Sequence, residues 1–183
     1  KNPLTVETRS GIKTLTFRIE NGNVEEATVD MGIPQQTSAL PEEICVAGEE
    51  YSFVGISVGN PHAVYFMDDI DSLDLEKIGP AFENHSRFPG RTNTEFVQIL
   101  NRKHLKMRVW ERGSGETWAC GTGATACAAA AVLMGYADDT VTVSLKGGDL
   151  TISWDRDTGH IYMTGPAKEV FWGEIDLPED NEN

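Results

Sequence analysis

Short stretches of alternating apolar and polar residues dominate the pattern along this chain. Leu15, Phe17 and Ile19 alternate with polar neighbours, which is the two-residue period of a half-buried strand. Asn21-Gly22 then predicts a tight turn into a second strand that runs to Met31, because both turn positions tolerate positive φ. The sequence therefore predicts a β-hairpin whose two strands lie on either side of Asn21-Gly22.

The same pattern predicts further strands separated by turns. We expect these strands at residues 5–8, 51–58, 63–67, 94–100, 105–110 and 170–177, with later hairpins turning at 147–149 and 155–159. Residues 32–50 contain Pro34 and Pro41 and are expected to be irregular. In front of Leu75, Ile78 and Phe82, Asp71-Ser72-Leu73 offers a helix cap.

The clearest predicted element is an alanine-rich helix from about Thr122 to Met134, with Gly135 as its C-cap. A helix that is apolar on every side should be enclosed by other structure. The sequence therefore predicts an α+β fold in which strands wrap around a central helix, rather than a βαβ winding.

Composition limits the choice of partners and location. At 183 residues the chain is long enough for one generous domain, and its formal net charge of −14 argues against a nucleic-acid partner. No apolar run reaches the length of a membrane span, and no secretory signal is visible. Three cysteines without a metal-like pairing predict reduced thiols in a cytoplasmic protein. Because the chain starts without Met and runs directly into strand-like residues, we expect a processed or truncated protein.

The strongest chemical signal is the glycine-rich run from Trp110 to Ala124, which places Cys120 at the start of the alanine-rich helix. Free N–H groups and the positive end of the helix dipole stabilise an anion at such a position. They are expected to lower the pKa of the thiol, making it a base or nucleophile, and could also hold a substrate carboxylate. A small buried packing residue is the alternative, but the flanking glycines and the neighbouring Glu111-Arg112 pair favour function.

Other polar residues and motifs carry less information. Asn60 and Asn93 taken singly are turn formers, and His62 alone is more often a satisfied half-buried histidine than a catalyst. Cys127 lies inside the alanine-rich stretch and Cys45 has no partner, so both are expected to be inert.

Three ligand-binding motifs are set aside. Gly121 to Ala126 formally matches the dinucleotide fingerprint, but hairpin strands rather than a parallel βαβ unit are expected after this helix. The cysteine and histidine spacings do not resemble a zinc site, and no Walker-type lysine is present.

Taken together, these segments make the chain resemble the diaminopimelate epimerase family. The resemblance rests on the segments 59–62, 93–96, 111–117 and 119–124, with weaker support from 6–8, 30–32 and 165–167. It spans almost the whole chain in order, and the long run around Cys120 is its most specific part.

The resemblance implies two similar halves, each a strand barrel around a central helix, with the substrate between them and one catalytic cysteine from each half. The family's first half is missing here. By that comparison, residues 1–20 are remnant strands of the first domain, 21–165 form the second domain, and 166–183 form a return strand and an acidic tail. The implied partners are diaminopimelate, the missing N-terminal domain and, as an allowed assembly, a second copy in a homodimer.

The resemblance also implies roles for individual residues. It assigns them to catalysis (Cys120), to adjusting thiol protonation (His62, Glu111) and to substrate binding (Asn60, Asn93, Glu111, Arg112, Gly121, Thr122), with no metal and no cofactor.

The implied activity is epimerisation of L,L-diaminopimelate to the meso form by two cysteines, independent of pyridoxal, in lysine and peptidoglycan precursor synthesis. Because inversion needs two bases on opposite faces, a chain with one of them is expected to be incomplete. Three alternatives stay open: a related isomerase such as proline racemase, a cysteine hydrolase using Cys120, His62 and Asn93, and a binding module without activity.

Overall fold

The computed structural model describes residues 1–8 and 11–176, and it contains thirteen strands and two helices within those ranges. The strands are β1 (Leu4–Thr8), β2 (Gly11–Glu20), β3 (Asn23–Gly32), β4 (Gln35–Gln36), β5 (Glu42–Val46), β6 (Glu49–Ser57), β7 (Pro61–Phe66), β8 (Asn93–Asn101), β9 (His104–Glu111), β10 (Gly115–Thr117), β11 (Thr140–Leu145), β12 (Gly148–Trp154) and β13 (Ile161–Pro166). The helices are α1 (Leu75–Glu83) and α2 (Gly121–Leu133).

A single curved sheet encloses α2. The strand order is β1-β2-β3-β13-β12-β11-β9-β8-β7-β6-β4, with β10 on β9 and β5 on β6. The helix α2 contacts seven of these strands, β6 to β9 and β11 to β13. The α+β class and the central helix are therefore confirmed.

The composition of α2 explains its central position. Residues 123–131 are all buried, and most of them are alanine, a strong helix former whose small side chain lets strands approach from several directions. Cys120 is the N-cap, with an extended backbone at φ −140° and ψ 101°. At the other end Gly135 adopts a φ of +73°, as a glycine after a helix commonly does.

The shorter helix, α1, lies outside the sheet and covers a second apolar cluster. Leu75 and Phe82 pack there against Tyr65, Phe96 and Trp110, which project from the opposite side of the sheet to α2. This cluster fixes α1 beside the end of β9, where the glycine-rich loop begins.

The predicted cap of α1 is wrong by one turn. Asp74, not Asp71, is the N-cap, and its side chain accepts a hydrogen bond from the Lys77 backbone N–H at 3.3 Å. Asp71 instead pairs with Lys106, which draws its carboxylate away from the helix.

Two other predictions about elements are corrected. Residues 32–50 are not all irregular, because β5 pairs with β6 and buries Ile44 and Val46 despite the nearby prolines. The strand expected at 170–177 is absent from the described residues 170–176, where Val170, Phe171 and Trp172 are more than 80% exposed and no strand pairs with them. Leu177 lies outside the described residues.

The expectation that the fold lacks βαβ connections is also wrong at two places. The strands β7 and β8 are parallel and connected through α1, and β9 and β11 are parallel and connected through α2. Turn signals in the sequence mark where a strand ends but do not fix the direction in which the next one returns.

The domain boundaries at 20 and 165 remain predictions, since β1 and β2 continue the same sheet as β3. No helix in residues 1–8 and 11–176 is long and apolar enough to cross a membrane.

Candidate active site

The predicted catalytic thiol lies at the N-terminus of α2. Cys120 is 7% exposed, and its Sγ accepts a hydrogen bond from the Gly123 backbone N–H at 3.3 Å. Its second polar neighbour is the Thr122 hydroxyl, whose Oγ1 lies 3.5 Å from Sγ. The sulfur therefore occupies the capping position that the glycine-rich run predicts.

A chain of hydrogen bonds leads from Thr122 into the interior. The Asn60 amide Nδ2 donates to Thr122 Oγ1 at 3.2 Å, and Asn60 Oδ1 lies 3.1 Å from His62 Nε2. The other ring nitrogen of His62, Nδ1, lies 2.6 Å from Glu95 Oε1. The turn before β7 and the strand β8 thus converge on the end of α2.

Glu95 is a functional candidate that the sequence analysis did not select. Its side chain and that of His62 are both fully buried, and Glu95 Oε2 has no hydrogen-bond partner in the described residues. Burial raises the pKa of the Glu95 carboxyl, and the neighbouring His62 only partly opposes this effect. One feature of the sequence could have identified Glu95: it lies two residues before Val97, on the strand face that packs against α2, where a charged residue is unusual.

Asn93 joins two of the predicted site segments. Its Nδ2 donates to the Pro61 backbone carbonyl at 3.0 Å, and its Oδ1 accepts from the Arg112 backbone N–H at 2.9 Å. Asn93 is 5% exposed, so these two bonds satisfy a buried amide and connect β7 to the glycine-rich loop.

Arg112 lies beside an open cavity of about 400 Å³. Its guanidinium donates to the Gly90 carbonyl at 3.1 Å and has no carboxylate partner among the described residues. Two other arginines line the cavity, but Arg87 is paired with Glu42 and Arg91 with Glu83. Arg112 is therefore the cavity arginine that is available to an anion.

The remaining predicted binding groups also lie at this end of α2. The backbone N–H groups of Gly121 and Thr122, in the first turn of the helix, have no hydrogen-bond partner in the described part of the chain. Such N–H groups and the helix dipole favour an anionic ligand. Glu111 is half-buried, and its Oε1 accepts from the Thr117 hydroxyl at 2.5 Å.

The expected lowering of the Cys120 pKa is not found. Burial first, and then the carboxylates of Glu95 and Glu111, raise the pKa of this thiol to about 11, against the opposing hydrogen bonds from Thr122 and Gly123. In the described residues no hydrogen bond joins His62 to the sulfur. Desolvation and nearby carboxylates therefore outweigh the two hydrogen bonds to the sulfur, which favours the neutral thiol.

Alkylation by iodoacetamide tests this resting state. Because the thiolate is the reacting form, we expect Cys120 to be modified more slowly than the exposed Cys45 at pH 8 and to accelerate up to about pH 11. Cys127, which is fully buried and whose Sγ contacts Met107 Sδ at 3.8 Å, should stay unmodified in the folded chain. Peptide mass spectrometry of quenched samples measures all three rates. Modification of Cys120 ahead of Cys45 at pH 8 would contradict the raised pKa.

Neither the dinucleotide fingerprint nor a metal site gains support from the geometry. The strand that is parallel to β11 is β9, and the antiparallel strand β10 lies between β9 and α2, so β9 does not lead directly into the helix as the fingerprint requires. In residues 1–8 and 11–176, no group of three or more His, Cys, Asp or Glu side chains is arranged to hold a metal ion.

The enclosed helix and its capping cysteine define a structural class. The fold matches a crystal structure of a hydroxyproline epimerase from Agrobacterium vitis with a TM-score of 0.65 at 15% identity, covering 90% of this chain and 56% of that one. A phenazine biosynthesis protein of the PhzF family from Bacillus anthracis matches with a TM-score of 0.59 at 18% identity, covering 92% and 67%. At these identities the matches establish the fold alone.

Sequence comparison identifies the family. Residues 54–170 match the family model described as diaminopimelate epimerase. The chain is 50% identical to a diaminopimelate epimerase from Methanococcus maripaludis and 49% identical to one from Agathobacter rectalis, covering 97% of this chain and 68% of each relative. The chain belongs to the diaminopimelate epimerase family, which is a family of isomerases.

Proposed function

We propose that Cys120 exchanges a proton with the α-carbon of diaminopimelate, as one of the two acid/base groups of a pyridoxal-independent epimerase in lysine biosynthesis. The observation that carries the proposal is the position of its sulfur. Sγ caps a helix whose next two backbone N–H groups are unpaired, so that a substrate carboxylate bound there would hold its α-carbon beside the thiol.

Cys120 acts as the acid when the L,L form is converted to the meso form. A base on the opposite face removes the α-proton, its electron pair passes into the adjacent carboxylate, and the Cys120 thiol returns a proton to the carbon from its own face. Cys120 is then a thiolate, and in the reverse direction it removes the proton. The raised pKa suits the donor role at the start, because the thiol must hold its proton until negative charge develops on the substrate.

Neither of the other two cysteines of this sequence is placed to act as the second acid/base group. Cys127 is enclosed by apolar residues in the middle of α2, and Cys45 is an exposed residue of β5. The chain spans about two thirds of the length of the relatives it matches. We propose that the partner thiol belongs to the portion of those relatives that this chain does not align with.

Substrate selection is assigned to the cavity side of the site. Diaminopimelate carries a second amino-acid head, and Arg112 supplies an unpaired cation for its distal carboxylate. Asn60 lines the same cavity. Asn93 accepts a hydrogen bond from the Arg112 backbone N–H and so holds the backbone from which the Arg112 side chain extends. A proline racemase would have no second head to place there, and binding of proline in preference to diaminopimelate would favour that alternative.

The geometry gives little support to a cysteine hydrolase. Both ring nitrogens of His62 are occupied, by Glu95 and by Asn60, and in the described residues neither is hydrogen-bonded to Cys120. Asn93 bonds to backbone groups of Pro61 and Arg112 rather than to the histidine. A nucleophilic triad needs a base within hydrogen-bond reach of the sulfur. Formation of a stable acyl group on Cys120 after incubation with an ester would favour the cysteine hydrolase over the epimerase.

The stereochemical outcome tests the two-base proposal. Incubated alone with L,L-diaminopimelate, this chain is expected to return the L,L form without meso product, because one thiol reaches one face of the α-carbon. Chiral chromatography of the recovered amino acid measures the ratio of the two forms. Meso product from this chain above a no-protein control would contradict the assignment of the second base to another segment.

A further inference from the structure

The carboxylate of Glu83 is buried beneath the glycine-rich loop. Glu83 is the last residue of α1 and is 5% exposed. Its Oε1 accepts hydrogen bonds from the Gly113 backbone N–H and from Arg91 Nη1, both at 2.9 Å, and its Oε2 accepts from Trp110 Nε1 at 2.8 Å. Three donors from two segments therefore converge on one carboxylate.

Two of these donors bracket the predicted binding residues. Trp110 precedes Glu111, and Gly113 follows Arg112, so the carboxylate is bonded to the chain on both sides of the pair. Gly113 adopts a φ of +81°, a conformation that favours glycine and sharply turns the chain after Arg112.

The helix α1 makes a second, steric contact with the same segment. A Cβ on Gly79 would overlap ring atoms of Trp110, so this glycine allows the indole to lie directly on the helix. Gly79 and Glu83 are four residues apart and face the same side of α1. One helix face thus fixes both the ring and the backbone of the segment that carries Arg112.

We propose that Glu83 is a positioning residue that holds the Arg112 loop in its substrate-binding orientation. The proposal rests on the assignment of Arg112 to the distal end of diaminopimelate. The Glu83 carboxylate accepts all three bonds. A glutamine could keep both bonds made to Oε1 and lose only the bond from Trp110, whereas a methionine of similar length accepts none of the three. The acceptor oxygens of Glu83, and not its size alone, are therefore required.

The test compares Glu83→Met with Trp110→Phe in the full 183-residue chain. Glu83→Met removes the acceptor of the Gly113 bond, whereas Trp110→Phe removes the indole donor but leaves that bond, so it serves as a matched control for disturbance of the same cluster. We expect Glu83→Met to accelerate amide hydrogen exchange at Gly113 by at least about tenfold and to weaken diaminopimelate binding by a similar factor, which is the lower range for a bond to a charged group. Both quantities should stay within about twofold in Trp110→Phe, and the Cys120 alkylation rate should be unchanged in both variants.

Unchanged Gly113 exchange in Glu83→Met, or an equal loss of binding in Trp110→Phe, would overturn the proposal. If the unsubstituted chain does not bind diaminopimelate, the assignment of Arg112 fails, while the Gly113 exchange rate still decides whether Glu83 holds the loop. If Glu83→Met does not fold, Glu83→Asp replaces it, because its carboxylate is one methylene too short to keep all three bonds, and faster Gly113 exchange is again the expected result.

Discussion

Replacing Cys120 with serine is expected to slow exchange of the diaminopimelate α-hydrogen with solvent by about 10²- to 10⁴-fold, the range for losing a general acid/base. Serine keeps a side-chain oxygen that can accept the capping bond from Gly123, so α2 should remain intact. The hydroxyl is a much weaker acid than the thiol and cannot take over the proton transfer. The loss of the α-proton NMR signal in D₂O, followed near pH 9, measures the rate.

Cys45→Ser is the matched control for this substitution. Cys45 is exposed on β5 and contributes no contact to the end of α2, so its variant should exchange the α-hydrogen within about twofold of the unsubstituted chain. Equal rates in Cys120→Ser and in the unsubstituted chain would mean that another group moves the proton. A large loss in Cys45→Ser would show that the assay responds to any thiol.

Removing the charge of Arg112 is expected to have the second largest effect. A hydrogen bond between charged groups contributes about 1.5–3 kcal/mol, so Arg112→Met should raise the dissociation constant of diaminopimelate by about 10- to 150-fold. The guanidinium has no carboxylate partner in the described residues, so its loss leaves no buried charge unpaired and should cost little stability. Isothermal titration calorimetry measures the binding, and thermal unfolding checks the fold.

Arg87→Met provides the control within the same cavity. Arg87 lines the cavity with Arg112, but its guanidinium bonds to both carboxylate oxygens of Glu42. Its removal should change diaminopimelate affinity by less than about threefold. Equal losses in the two variants would indicate that the cavity attracts the substrate through its overall charge, and not through Arg112 in particular.

Much of the fold follows from periodicity in the sequence. The alternation at Leu15, Phe17 and Ile19 and the Asn21-Gly22 turn correctly give the β2–β3 hairpin. The alanine-rich stretch predicts the start of α2 within one residue, because a long run of strong helix formers that is apolar on every side indicates a buried helix. Periodicity is weakest where partners are distant in sequence, and for this reason β5 and the parallel pairing of β9 with β11 were missed.

The position of the candidate thiol could be predicted, but its electrostatics could not. The glycines around Cys120 indicate a helix N-terminus, and the structure places the sulfur there. The raised pKa comes from burial and from Glu95, which lies on a separate strand. Glu95 and Glu83 gain their significance from the donors that converge on them, and no local motif marks those contacts.

The roles of the predicted site residues remain predictions that variants must test. The structure brings Cys120, Thr122, Asn60 and His62 into one hydrogen-bonded chain and joins Asn93 to Arg112 through the backbone. It does not hydrogen-bond His62 to the sulfur, so that imidazole can influence Cys120 through Asn60 and Thr122 or through the Glu95 carboxylate to which it is bonded. The cytoplasmic location likewise remains a prediction from cysteine usage.

Mass spectrometry of meso-diaminopimelate, whose inverted centre turns its α-hydrogen toward Cys120, recovered from D₂O after incubation with the unsubstituted chain, is the most direct test of the central claim. If the sulfur at the tip of α2 trades hydrogen with the α-carbon, one deuterium should accumulate in molecules that keep their original configuration, faster as the pH rises toward 11. Recovery of undeuterated amino acid across that pH range would contradict the account.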